Sequence, residues 1–365
     1  MILKHISSLF LVFLFFNGIS YAQQNKYVTT VKFHNGFILP HHRSISYMRK
    51  SDIEAVEINF GLISNSKKRW AKLYNQPEIG LAFYHSNLGN DEVWGNVSSL
   101  FPYINFHLFN SGRLHIINHL GLGLAYNDKI YHPTENFKNI LISSKINAFF
   151  SLSLEAELSI HPRWQLIAGM GLKHISNGAS KNPNKGINLL VGNVGIKYAL
   201  SDRPHIIYQK KEKYKKLDNE YSIAWNHGRK QAKENDEHRY YISNICTNYA
   251  IGINAKQRIG FGIDLFYDES VNRGTWDLNP QTSFKDQFSQ GVHISHDLVI
   301  SDFTFILQIG AYTFYKTEPK LPIYTRLGLR YNLGKRFFTN FNLKAHAGKA
   351  DNIEWGLGFR FKNRR

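Results

Sequence analysis

The string His174-Ile175-Ser176-Asn177-Gly178 holds, within five positions, residue types that can carry acyl transfer. A serine hydroxyl is a weak nucleophile until a base takes its proton, and an imidazole is the usual base near neutral pH. His174 therefore reads as the base and Ser176 as the nucleophile. Asn177, with the N–H groups of the turn at 177–179, reads as the donor set for an oxyanion. A third residue should hold the imidazole. No Asp or Glu lies between Glu157 and Asp202. Asn188 is then the best-placed orienting group, with Asp128 and Glu135 in a neighbouring loop as substitutes. The string alone is a weak signal, because Ser-Asn-Gly is also ordinary turn chemistry.

The pair must be positioned by a strand. Successive strand side chains point to opposite faces. Leu166, Ala168, Met170 and Leu172 share one face, and His174 and Ser176 continue it. Gln165, Gly169, Gly171 and Lys173 take the other, with Ile167 and Ile175 as exceptions. On the next strand Asn188 shares a face with Leu190, Val194 and Ile196. Two-residue spacing leaves His174 and Ser176 about 7 Å apart at Cβ, so contact needs converging rotamers or a bulge near Gly178.

The rest of the chain repeats this pattern. Runs of about ten alternating residues end in turn residues, the pattern of a barrel whose apolar face meets lipid. About sixteen such runs are expected, from 27–38 to 352–362. Connections after odd runs are mostly long and polar, as at 39–53, 127–141, 177–186 and 268–285. Those after even runs are mostly short, as at Asn110-Ser111-Gly112, His161-Pro162, Ser301 and Gly334. With the termini on the inner side, the odd strands run outward. The pair at 174 and 176 then sits at the outer rim, facing lipid, an odd place for polar chemistry unless the substrate is a lipid. Two connections break the rule, 64–77 and the lysine-rich 200–218.

Bulk properties agree with an exported all-β membrane protein. Residues 1–22 read as a signal peptide: a basic start at Lys4, an apolar stretch to Ile19, and Ser20-Tyr21-Ala22 as a small-x-small cleavage site. No later stretch holds about eighteen consecutive apolar residues, so no spanning helix is expected. Mean hydropathy is −0.34, too polar for a helical membrane protein. The aromatic fraction of 14% suits interfacial girdles. The formal net charge of +18 is spread over loops. That spread speaks against nucleic acid and fits an anionic membrane surface or plainly solvated loops. One cysteine, Cys246, cannot form an internal disulfide. His115 and His119 have metal-ligand spacing but lie on the lumenal face, where a polar network is the simpler reading. No metal or cofactor is expected.

At His174, Ser176 and Asn177, on a strand ending Gly171-Leu172-Lys173 and followed by the 180–186 loop and the strand 187–198, the chain resembles the PagL-like outer-membrane lipid A deacylases, also described as acyloxyacyl hydrolases. The resemblance implies an eight-stranded barrel that hydrolyses an acyl ester of lipid A in the outer leaflet of the bacterial outer membrane. It further implies that His174 is the base, Ser176 the nucleophile and Asn177 an oxyanion donor. Where the family carries a glutamate, this chain has Asn188. The second half, 219–362, exceeds the minimal family barrel. His346 is followed by Ala347 and Gly348 with no serine, and with Glu354 it reads as lumenal.

The expected organisation is a signal peptide (1–22), a PagL-like half with the site (23–199), a basic connector (200–218) and further strands (219–365). A single barrel of about sixteen strands is favoured over two tandem eight-stranded barrels. The expected activity is that of a carboxylic ester hydrolase acting on lipopolysaccharide, its basic loops attracting the lipid A phosphates. The alternative is a non-enzymatic porin or structural barrel.

Overall fold

The computed structural model of the protein describes residues 26–40, 43–63, 68–200, 214–234, 236, 238–273, 283–317 and 321–362. The expected signal peptide and most of the basic connector lie outside them. Sixteen antiparallel strands make up most of the described chain. The first eight are β1 (Lys26–Ile38), β2 (Ile53–Ile63), β3 (Glu78–Asn87), β4 (Asn96–Ser111), β5 (Leu114–Asn127), β6 (Ile146–His161), β7 (Trp164–Ser176) and β8 (Ile187–Ala199). The second eight are β9 (Glu220–Lys230), β10 (Tyr240–Gly252), β11 (Gln257–Asp268), β12 (Phe288–Ile300), β13 (Phe303–Tyr315), β14 (Ile323–Leu333), β15 (Phe337–His346) and β16 (Lys349–Lys362). Two short helices, α1 (Arg43–Met48) and α2 (Arg69–Leu73), lie in connections.

The strands close into two barrels rather than the single one favoured from the sequence. β1 pairs with β8 from Val28↔Ala199 to Ile38↔Leu189. β9 pairs with β16 from Glu220↔Lys362 to His227↔Trp355. The physical reason is interior volume. Eight tilted strands enclose a space that side chains alone can fill. Each half carries the polar side chains to fill its own. Once β8 bonds back to β1, the first half has no open edge to offer β9.

The first lumen is filled by paired charges. Glu57 is buried between Lys32 at 3.1 Å and Lys173 at 2.9 Å. Lys32 also reaches Glu155 at 2.7 Å, and Lys197 bridges Glu78 and Glu157. His119, one of the two histidines with ligand-like spacing, is fully buried, its Nδ1 2.7 Å from Asn105 Oδ1. In the second lumen Asp264 takes bonds from His293, Tyr324 and Arg326, and Glu220 faces Arg330. Glu354 is buried beside Arg326, and His346 Nε2 lies 3.1 Å from Tyr312 OH, so both stand among the network residues of this barrel. The outward faces are the reverse. Phe33, Phe60, Met170 and Val194 are each at least 60% exposed, a coat that only hydrocarbon would cover at low cost.

At its outer end the first lumen changes character. Ile38, Ile53, Leu88, Trp94, Leu141, Ile142, Phe149, Ile175 and Ile187 form one buried apolar cluster. It plugs the barrel beneath the outer loops. Ile175, an exception to polar-inward alternation, belongs to this plug.

Glu57→Ala would leave Lys32 and Lys173 buried without their shared carboxylate. Breaking a buried pair from one side costs about 3–5 kcal/mol. Urea unfolding of the refolded protein should show a loss of that size, whereas a surface change such as Asp52→Ala should shift the midpoint little.

Candidate active site

The site grows out of the β7–β8 pairing. His174 stands directly opposite Asn188 in the register. Both are on the outward face, while their neighbours Lys173, Ile175, Ile187 and Leu189 are buried inside. Cross-strand partners on one face have adjacent side chains. His174 Nδ1 is 2.7 Å from Asn188 Oδ1, and His174 Nε2 is 3.0 Å from Ser176 Oγ. Because Asn188 Oδ1 can only accept, the proton sits on Nδ1 and leaves the Nε2 lone pair facing the serine hydroxyl. The rotamers thus converge across the two-residue spacing. Asp128, the alternative orienting residue, is held elsewhere, accepting from Asn96 N and Nδ2. Glu135 has its N–H on His132 Nδ1.

Ser176 ends β7, and the chain turns sharply after it. Gly178 and Gly186 have φ of +60° and +76°, with Ala179 at +62° between them. A Cβ on Gly186 would fall 3.0 Å from His174 Cε1 and 3.5 Å from Ser176 Cβ. Glycine is required there both for its backbone and for the space beside the imidazole. On the other flank, β6 places Phe150 opposite His174 and Ala148 opposite Ser176.

Asn177, expected as an oxyanion donor, is used differently by its side chain. Its Nδ2 is within bonding distance of Ser143 Oγ at 3.2 Å, Ser144 Oγ at 3.0 Å and Lys181 O at 2.8 Å. Its backbone N–H donates to Asn184 Oδ1 at 3.2 Å. Both amide hydrogens are thereby taken up in tying the β5–β6 loop to the β7–β8 loop. The N–H groups of Gly178 and Ala179 have no partner among the described residues. The sequence carried no sign of Ser143 and Ser144, because they reach Asn177 across 34 and 33 residues of chain.

The fold and site together define a membrane-embedded β-barrel with a lipid-facing Ser-His-Asn arrangement at its outer rim. Residues 55–197 match the family model described as lipid A 3-O-deacylase (PagL), and residues 219–363 match that of the acyloxyacyl hydrolase C-terminal domain. The chain belongs to the PagL family of lipid A deacylases, with an acyloxyacyl hydrolase C-terminal domain after the PagL domain. The protein is an outer-membrane protein, and its family supports hydrolysis of an acyl chain of lipid A. No curated protein matches the chain. Among solved structures, it is similar to Neisserial surface protein A at 12% identity and a TM-score of 0.30, over 49% of this chain and 99% of that one. It is also similar to the Acinetobacter baumannii outer membrane protein Omp33 at 8% identity and a TM-score of 0.18, over 93% and 99%.

Gly186→Ala should displace the imidazole while leaving the barrel closed. With His174 as the base expected from the sequence, ester hydrolysis should fall by about 10²-fold, the scale set by losing a positioned base. The heat-dependent gel shift of a folded barrel should persist. Wild-type turnover in this variant would contradict the assigned packing of Gly186 on His174.

Proposed function

We propose that the protein is a serine esterase that removes an acyl chain from lipid A in the outer leaflet. One observation carries the mechanism: the hydrogen-bonded chain Asn188–His174–Ser176 lies on the hydrocarbon-facing side of the barrel at its outer rim. An active site for a soluble ester would have no reason to face lipid. One for an acyl chain anchored in the leaflet would.

In this reading Ser176 Oγ attacks the ester carbonyl carbon while His174 Nε2 takes its proton. The charge on the carbonyl oxygen is met by the N–H groups of Gly178 and Ala179. Asn177 acts indirectly, holding the turn that presents them. Collapse of the intermediate breaks the bond to the sugar oxygen, which leaves with the proton from His174. Water, deprotonated by the same imidazole, then frees the fatty acid from Ser176. Lys145 and Lys185 are exposed beside the site and would attract the lipid A phosphates.

Asn188 alters the electrostatics. An amide fixes the imidazole tautomer but does not stabilise the imidazolium formed during attack. Asn188 itself brings no charge, which lowers the cost of holding the site against hydrocarbon. A porin reading gains no support from lumens packed with buried ion pairs.

Mass spectrometry of lipid A from cells making each variant tests the proposal. Ser176→Ala and His174→Ala should each lower deacylation by at least about 10³-fold, because the two act as one unit. Unchanged acyl loss with Ser176→Ala would overturn it. Asn188→Leu should cost about 10²-fold and Asn188→Asp should retain or raise the rate, since general-base catalysis contributes about 10²–10⁴. Equal rates in both Asn188 variants would remove Asn188 from the mechanism.

A further inference from the structure

The C-terminal barrel touches the site. A Cβ on Gly178 would lie 2.4 Å from Ile353 Cγ1 and 3.3 Å from Leu343 Cδ1. Ile353 and Leu343 are cross-strand partners on β16 and β15. Nearby, Asn182 N–H donates to Gln231 Oε1 at 2.6 Å. The barrels meet again at the inner end, where Tyr74 OH donates to Val299 O at 2.9 Å and Lys256 Nζ stands 4.6 Å from the centre of the Tyr74 ring. The outer contact uses the β7–β8 end and the inner contact the β2–β3 end. In an eight-stranded barrel the strand tilt of about 35–45° carries a strand far around the wall, so these two ends can share one flank.

Exposure along that flank is graded. On the second barrel, Trp355 and Phe341 face outward and are 54% and 46% exposed, whereas Ile353 and Leu343, nearer the rim, are half-buried. On β7, Met170 is 66% exposed, Leu172 is half-buried and Ser176 is 6% exposed. Two apolar walls thus converge toward the outer rim, and Gly178, two residues past Ser176, lies where they meet.

We infer that the C-terminal barrel completes the acyl-chain site, with Ile353 and Leu343 forming the wall that determines which acyl chains reach Ser176. This rests on the esterase reading above. The chain of the substrate runs along the β7 face and is bounded by Ile353. A larger side chain there narrows the path for long acyl groups, while a short acyl group needs less of it.

The test uses the purified full-length protein in detergent with 4-nitrophenyl butyrate and 4-nitrophenyl dodecanoate. Ile353→Trp should lower the dodecanoate-to-butyrate ratio of kcat/KM by about tenfold, the scale at which an apolar pocket discriminates methylenes. Ile353→Ala and Leu343→Ala should move the ratio the opposite way. A folding defect would depress both esters together and leave the ratio fixed, which counts against the inference. Ratios within about twofold of wild type in all three variants, with Ser176→Ala inactive, would overturn the inference alone. Wild-type turnover of both esters by Ser176→Ala would instead overturn the esterase reading.

Discussion

His174 faces Asn188 because β7 and β8 are held in one register, and that register is fixed from the opposite side of the sheet. Ile175, Ile187 and Leu189 are buried in the outer plug, between the polar side chains that face out. A slip of one residue would send these apolar groups to the lipid side and carry His174 into the barrel. The plug therefore does for the site what a hydrophobic core does for a soluble enzyme. Below it, Lys173 is anchored on Glu57 at 2.9 Å, so the residue before His174 is fixed as well. Little of this precision comes from contacts among the polar residues themselves.

Much of the architecture was legible because a barrel strand has a simple period. Alternation gave sixteen strands, the long and short connections gave their direction, and the face of β7 placed His174 and Ser176 outward. Asn188 was legible for the same reason. Closure was not. Whether β8 bonds to β1 or to β9 depends on contacts about 160 residues apart in sequence, and alternation is the same in either case. The lysine-rich connector at 200–218 was the visible hint. The other rule-breaking connection, 64–77, holds α2 and, just after it, Tyr74, which donates to Val299 O of the second barrel.

Asn177 shows a different limit. The types and spacing around Ser176 suggested a donor aimed at the reaction. The side chain is instead held by Ser143, Ser144 and Lys181. A local string shows which groups are near in sequence. It does not show which of their hydrogen bonds are already taken by a loop that returns from elsewhere.

In the proposed reading, the contact between the barrels also changes how a substrate arrives. A lipid moves in two dimensions, and the rim of a lone barrel can be approached from any direction in the plane. Here part of the rim beside Ser176 is occupied by β15 and β16. That arc is closed to diffusing lipid, and encounters are restricted to the remaining one. The loss of encounter rate is matched by a gain in orientation, because a lipid entering past a fixed wall presents the same edge each time. A second barrel can in this way act on its neighbour through its outer surface alone, as a fixed substitute for the annular lipids it displaces.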